Sequence, residues 1–141
     1  MTRARRDGAI VFVTALAARL AVVAWAAGRF PAAADGTYYD IIARRVAAGH
    51  GYTWVWPDGA VTYAAHYPIG YPALIAMGYA VFGAAPWVAM LVNAIAGAGC
   101  AAAACALARR SGDDRAALAS GLLVALHPAL VPYTAAIMTE G

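Results

Sequence analysis

The sequence predicts an all-α integral membrane protein with three transmembrane helices and a large external loop that carries interfacial helices. Of its 141 residues, 64% are hydrophobic and only 12% are charged, whereas about 25% of a soluble domain is charged. All ten basic residues are Arg, and most lie at the ends of apolar runs, where they set membrane orientation. The net charge of +3 is therefore an orientation signal, and we expect no nucleic-acid partner.

The first span is predicted at about residues 8–28, because some 20 apolar residues at about 1.5 Å each cross a bilayer once. The basic residues 3–6 predict a cytoplasmic N-terminus. A cleaved signal peptide, with residues 32–34 as its cleavage site, is the alternative. The run is longer than a signal core and contains Arg19, which favours an uncleaved span.

Arg19 lies near the middle of this predicted span. A guanidinium there costs about 2.5–3.5 kcal/mol on insertion scales. It therefore either pairs inside the helix bundle or faces a polar cavity or a lipid phosphate, and in neither case should it face lipid.

Two more spans are predicted, at about residues 86–108 and 116–137. The first carries small residues that let helices approach closely, and the second contains His127-Pro128, so it should kink or unwind towards its outer end. Cys100 and Cys105 fall on different faces of a helix and fit packing positions rather than a disulfide or metal pair. The small residues form a seam: Ala94, Ala96, Gly97, Ala98, Gly99 and Ala101.

The external loop, about residues 29–85, is predicted to contain a surface helix at about 37–48. Thr37 and Asp40 have the spacing of a capping box, and Asp40 can pair with Arg44 one turn later. The predicted apolar face comprises Tyr38, Ile41, Ile42 and Val46.

Two further elements complete the loop. Pro57-Asp58-Gly59 predicts a turn between two extended segments. The apolar run at about 72–83 is too short to span and is predicted to lie on the membrane surface. Orientation supports this assignment, because the next span then delivers Arg109-Arg110 to the cytoplasmic side.

The predicted topology brings polar side chains from distant parts of the chain to the external face. Asp35, Asp40, His66 and Glu140 all lie there. Carboxylates that converge with a His can act as acid and base groups or as metal ligands. The spacing alone does not decide between these roles and solvated loop positions.

A set of motifs follows in a fixed order along the chain: Arg19, Asp35-x-x-Tyr38-Tyr39, Gly49-His50-Gly51-Tyr52, Tyr67-Pro68-Ile69-Gly70-Tyr71-Pro72, Leu91-Val92-Asn93-Ala94 and His127-Pro128…Glu140. Their order resembles the N-terminal part of GT-C-fold membrane glycosyltransferases, the group of dolichyl-phosphate-mannose protein mannosyltransferases and aminoarabinose transferases. The resemblance covers nearly the whole chain but only the first part of such an enzyme. The chain differs in having Gly36 where many members have Glu after the first Asp, which leaves metal use open, and Ile69 where many have a second Pro.

The resemblance implies transfer of a sugar from a polyprenyl-phosphate donor to an acceptor hydroxyl at the external face, with inversion. It implies that Asp35 and Glu140 are catalytic. His66 and Tyr67 would approach the lipid phosphate, and the other candidate substrate-binding residues are Tyr39, Arg44 and Arg19. A divalent cation is possible and no nucleotide cofactor is expected.

The expected setting is a bacterial plasma membrane, with a lipid-linked sugar donor, membrane lipids and the remaining transmembrane helices of a longer chain as partners. On this interpretation residues 1–141 are the N-terminal part of one polytopic domain and are inactive alone. The alternative is a small non-catalytic membrane subunit whose Ala/Gly seam packs against partner helices.

Overall fold

The computed structural model describes residues 2–138, which form helices and one β-hairpin. Glu140, which is predicted to be catalytic, therefore lies outside the described residues. Two helical segments, Arg3–Ala26 and Pro86–Ser111, are long and apolar enough to cross a membrane, in agreement with the first two predicted spans. The elements are α1 (Arg3–Ala26), α2 (Asp35–Ala47), β1 (Thr53–Val55), β2 (Val61–Tyr63), α3 (Gly70–Phe82), α4 (Pro86–Ala108) and α5 (Asp114–Ala125), with short 3₁₀ turns at Arg109–Ser111 and Pro132–Ala135.

Helices α1 and α4 pack side by side in opposite directions. Near one end, Arg109 Nη2 lies 2.9 Å from Asp7 Oδ2, and Asp7 is only 2% exposed. Near the other end, Ala26 packs against Met90 and Ala94. The two Arg-rich segments therefore lie together at one end of the pair, and the loop of residues 27–85 lies at the other.

Part of the small-residue seam of α4 packs against another helix of the same chain. Ala94, Ala98 and Ala101 are fully buried, and the last two pack in one cluster with Val11 and Ala15 of α1. Small side chains allow this close approach of helix backbones.

Gly121 of α5 provides a test of this packing. A Cβ there would lie 2.7 Å from Cys105 Cβ and 2.8 Å from Val11 Cγ2, so Gly121→Ala should destabilise the protein by about 1–3 kcal/mol through overpacking. Gly99→Ala is the matched control, because a Cβ at Gly99 meets nothing within 4 Å. Thermal unfolding in lipid nanodiscs measures both, and equal midpoints for the two variants would contradict this packing.

The third predicted span is not confirmed as a continuous helix. Helix α5 ends at Ala125, and twelve residues extend only about 18 Å, less than the hydrocarbon thickness of a bilayer. The break follows from Pro128, which has no N–H to donate to the preceding turn. The predicted unwinding at His127-Pro128 is thus confirmed.

Arg19 bonds to the broken end of α5. Because Ala129 N donates to His127 Nδ1, the carbonyl of Ala125 lacks its usual helical donor. Arg19 Nη1 supplies one at 3.0 Å and also donates to Ala15 O at 3.2 Å. A cation suits the carbonyl end of a helix, so the expectation that Arg19 avoids lipid is confirmed: its exposure is 2%.

The loop between the long helices contains the predicted elements with shifted boundaries. The pair β1–β2 is antiparallel around the Pro57-Asp58-Gly59 turn, where Asp58 Oδ1 accepts from Ala60 N at 3.0 Å. Helix α3 begins two residues before the predicted 72 and spans only 13 residues. Residues of α2, α3 and the start of α4 share one core with Ile137.

Two details predicted for α2 are wrong. Thr37 does not cap the helix, which begins at Asp35 after Ala34, a residue with φ of 48°; the Thr37 hydroxyl donates to Ala32 O at 3.3 Å instead. The buried face is also turned by one residue, since Tyr39 is 1% exposed and Tyr38 is 37% exposed. Tyr39 packs onto α3, which decides the rotation of the helix.

Candidate active site

Asp35 is the first residue of α2. Its side chain is exposed, and Oδ1 accepts a hydrogen bond of 3.2 Å from the hydroxyl of Tyr67. Burial, together with this hydrogen bond, raises the pKa of the Tyr67 phenol. Tyr67 therefore remains a protonated donor at neutral pH and fixes one carboxylate oxygen.

Aromatic rings surround Tyr67. Tyr38 stacks on it with ring centroids 5.0 Å apart, and Tyr39 meets its edge at 5.2 Å. His66 lies 5.1 Å from the Tyr67 ring and 6.3 Å from the Trp54 ring. Asp35, His66, Tyr67 and Tyr39 are thus brought together, with Tyr39 buried beneath the cluster rather than in contact with the open cleft.

This cluster forms a cavity of about 370 Å³, which we call the aromatic pocket. His66 and Tyr67 were predicted as site residues from the sequence, whereas Trp54 and Trp56 were not. The close spacing of aromatic and polar residues in this loop was the available signal. The lining residues are Tyr38, Trp54, Trp56, Pro57, His66 and Tyr67.

Arg44 lies elsewhere on α2. It follows Asp35 by nine residues, about 13 Å along the helix axis. Arg44 Nε lies 2.8 Å from Asp40 Oδ2, as the predicted pair requires, and Nη1 donates to Ala84 O at 3.0 Å. The bond to Asp40 raises the pKa of Arg44, so its charge is held in this contact between α2 and the α3–α4 turn.

Tyr79 of α3 completes the contact, because its hydroxyl donates to Asp40 Oδ1 at 2.5 Å. Burial and this bond raise the pKa of Tyr79. Asp40 is therefore engaged by Tyr79 and Arg44 together, and its contacts hold α2 against α3.

A second cavity, of about 410 Å³, contains Arg19. Asn93 lines it too, and its side chain links three elements: Tyr71 donates to Oδ1 at 2.9 Å, and Nδ2 donates to Ala136 O at 2.7 Å. Asn93 therefore links α4 to α3 and to the segment at Ala136. Arg19 lies in this cavity and not in the aromatic pocket.

A third cavity, of about 600 Å³, lies beside the link that leads into Asp35. Its lining is almost wholly apolar, from Trp25 and Phe30 on one side to Met138 on the other. Arg29 lies over the Trp25 ring, 5.4 Å from its centroid. We call this cavity the apolar groove.

Gly36 allows the chain at Ile137 to lie against the start of α2. A Cβ at Gly36 would lie 2.7 Å from the carbonyl oxygen of Ile137. The glycine, at a position where the resemblance would favour Glu, is thus required for close contact between the start of α2 and Ile137. Glu140 follows Ile137 by three positions in the sequence.

Within residues 2–138, no three His, Cys, Asp or Glu side chains come close enough to hold a metal ion.

The family model described as dolichyl-phosphate-mannose-protein mannosyltransferase matches residues 66–140, more than half of the chain. The match begins at His66 and includes Tyr67. Comparison with curated proteins and with solved structures gave no match.

Proposed function

Because the chain belongs to the dolichyl-phosphate-mannose-protein mannosyltransferase family, we propose that it moves a sugar from a polyprenyl-phosphate donor to an acceptor hydroxyl. The family is of the GT-C type and implies a lipid-linked donor and a membrane setting. One observation carries the proposal for this chain. Tyr67, inside the matched region, donates to Asp35, outside it, so a hydrogen bond joins the two regions at the proposed site.

Asp35 acts as the general base. Its carboxylate is held by Tyr67 through Oδ1, which leaves Oδ2 to accept the proton of an acceptor hydroxyl. As the hydroxyl oxygen bonds to the sugar C1, the bond from C1 to the phosphate oxygen breaks on the opposite side, and the configuration inverts. A positioned base contributes about 10²–10⁴-fold to rate.

The leaving group is a lipid phosphate, which departs as an anion and needs hydrogen-bond donors rather than a strong acid. His66 is exposed next to Tyr67 and is the proposed donor. Arg44 is committed to Asp40 and Ala84 and Arg19 lies in a separate cavity, so we assign both a positioning role.

The apolar groove suits the polyprenyl tail of the donor. It adjoins Asp35 through the link residues Ala33 and Ala34, which line it. Arg29, against the Trp25 wall, lies where a cation could attract the phosphate of a lipid in this groove. Sequence analysis did not single out Arg29.

Glu140 is proposed as the second catalytic acid, because the contact between Ile137 and Gly36 brings the preceding segment to the start of α2. A second carboxylate beside Asp35 would orient the acceptor or raise the basicity of its partner.

Reconstitution of the complete gene product tests the proposed function. In proteoliposomes that contain a total membrane extract as the source of acceptor hydroxyl groups and a mannosyl polyprenyl phosphate labelled in the sugar, we expect enzyme-dependent transfer of label from the lipid donor. The same preparation without protein is the control. Folded protein that leaves this donor and its glucosyl and arabinosyl counterparts intact would contradict the proposal.

The active site is proposed to lie on the external face. The Arg-rich ends of α1 and α4 lie together, and such clusters stay cytoplasmic. With Cys100 and Cys105 replaced by Ala, Thr62→Cys should react with a membrane-impermeant maleimide from outside the cell. Ser111→Cys should react only after the membrane is opened, and the opposite pattern would overturn this orientation.

A further inference from the structure

We propose that the aromatic pocket binds a pyranose ring of the acceptor, so that the acceptor is a glycan rather than a peptide. This inference rests on the proposed function and names its acceptor class. The pocket volume of about 370 Å³ is at the lower end of ligand cavities, a size for one ring.

The shape and chemistry of the walls favour a sugar. Tyr38 and Trp54 pack against each other with ring centroids 5.0 Å apart, and both line the cavity together with Trp56 and Tyr67. The negative face of an aromatic ring attracts the weakly positive C–H groups, and a pyranose has such groups across one face. Aromatic side chains with polar edges also offer hydrogen bonds to hydroxyl groups.

The uncharged lining of the aromatic pocket disfavours positively charged ligands. None of the six lining residues is Asp, Glu, Lys or Arg. A neutral ligand with many hydroxyl groups matches this surface better than an ammonium group.

The pocket is adjacent to the proposed base. Tyr67 lines the cavity and also donates to Asp35 at 3.2 Å. A pyranose ring in this pocket would therefore lie next to Tyr67, the residue whose hydroxyl bonds to the Asp35 carboxylate. Binding at this position would hold the acceptor hydroxyl in a favourable orientation for attack on the sugar C1.

The hairpin holds the pocket in shape before any ligand binds. Arg45 Nε donates to Thr53 Oγ1 at 2.8 Å, next to Trp54. The Trp56 indole N–H donates to Thr62 Oγ1 at 2.9 Å, and the Tyr52 hydroxyl donates to the carbonyl of Tyr67. A preformed site lowers the cost of ordering side chains on binding.

Saturation-transfer NMR on the complete gene product in nanodiscs free of glycoside detergent tests the pocket directly. The probes are methyl α-D-mannopyranoside and a neutral tripeptide, Ala-Ser-Ala. We expect saturation of the pyranose C–H protons, and about tenfold weaker binding in Trp54→Ala, the factor expected for one lost aromatic contact. Tyr63→Ala is the control, since Tyr63 lies on the same hairpin and is 83% exposed.

The outcomes distinguish failure of the pocket proposal from failure of the proposed function. Sugar binding that Trp54→Ala weakens supports the pocket even if the lipid-linked donors remain intact, which would refute only the proposed function. Donor turnover without sugar binding, or binding unaffected by Trp54→Ala, would overturn the pocket while the proposed function stands. Binding of the tripeptide alone would replace the glycan acceptor with a peptide.

Discussion

Replacing Asp35 with Asn is expected to lower sugar transfer by about 10²–10⁴-fold, the contribution of a positioned general base. An Asn side chain keeps an oxygen that can accept the hydrogen bond that Tyr67 donates to Asp35. The shape of the cleft should therefore survive while the group that removes the acceptor proton is lost. The measurement is the initial rate of transfer from labelled lipid donor at saturating donor, with protein amount verified by immunoblot.

Asp58→Asn is the matched control. Asp58 is an exposed acid of the same loop whose side chain accepts from Ala60 N in the hairpin turn, and Asn preserves such turns. Its transfer rate should equal that of the unmodified protein. If Asp35→Asn were as active as Asp58→Asn, Asp35 would have no part in the reaction.

Replacing Gly36 with Ala is expected to lower transfer about 10²-fold, the effect of a displacement of roughly 1 Å at a reacting group. The added Cβ would lie 2.7 Å from Ile137 O, a backbone atom that no rotamer change can move. The start of α2 and the segment that leads to Glu140 must then separate. Because Ala has a higher helix propensity than Gly, weaker helix formation cannot explain a loss of transfer activity in Gly36→Ala.

Gly70→Ala is the control for Gly36→Ala. Gly70 begins α3 as Gly36 stands near the start of α2, and a Cβ at Gly70 meets nothing within 4 Å. Both variants should fold, with only Gly36→Ala losing activity in the same transfer assay. Full activity of Gly36→Ala would show that close contact between these segments is not needed for catalysis.

Local chemistry explains which elements were predictable from sequence. Pro57-Asp58-Gly59 dictates a turn through fixed and positive φ angles, and the hairpin lies there. The apolar run ending at Arg109 has the length of a membrane span, and α4 coincides with it. Pro128 removes a helical donor, and α5 stops before it.

Non-local contacts explain what could not be predicted. The hydrogen bond between Tyr67 and Asp35 joins residues 32 apart, and the bond from Arg19 to Ala125 joins residues 106 apart. The rotation of α2, which buries Tyr39 rather than Tyr38, depends on packing against α3. None of these contacts has a signature in the adjacent sequence.

The resemblance identified the family correctly, but the residue roles drawn from it remain predictions. Geometry now divides the candidates. Tyr67 bonds to Asp35 and packs against His66, whereas Arg44 and Arg19 are bonded to carboxylate or carbonyl oxygens elsewhere.

Proximity of positions 35 and 140 is the central claim, and thiol cross-linking measures it most directly. With Cys100 and Cys105 replaced by Ala, the pair Asp35→Cys and Glu140→Cys is treated in native membranes with a short bifunctional maleimide. Efficient cross-linking of this pair, with none for Ser111→Cys and Glu140→Cys, is the predicted result. Cross-linking of the second pair but not the first would place Glu140 at the other end of the helices and contradict the shared active site.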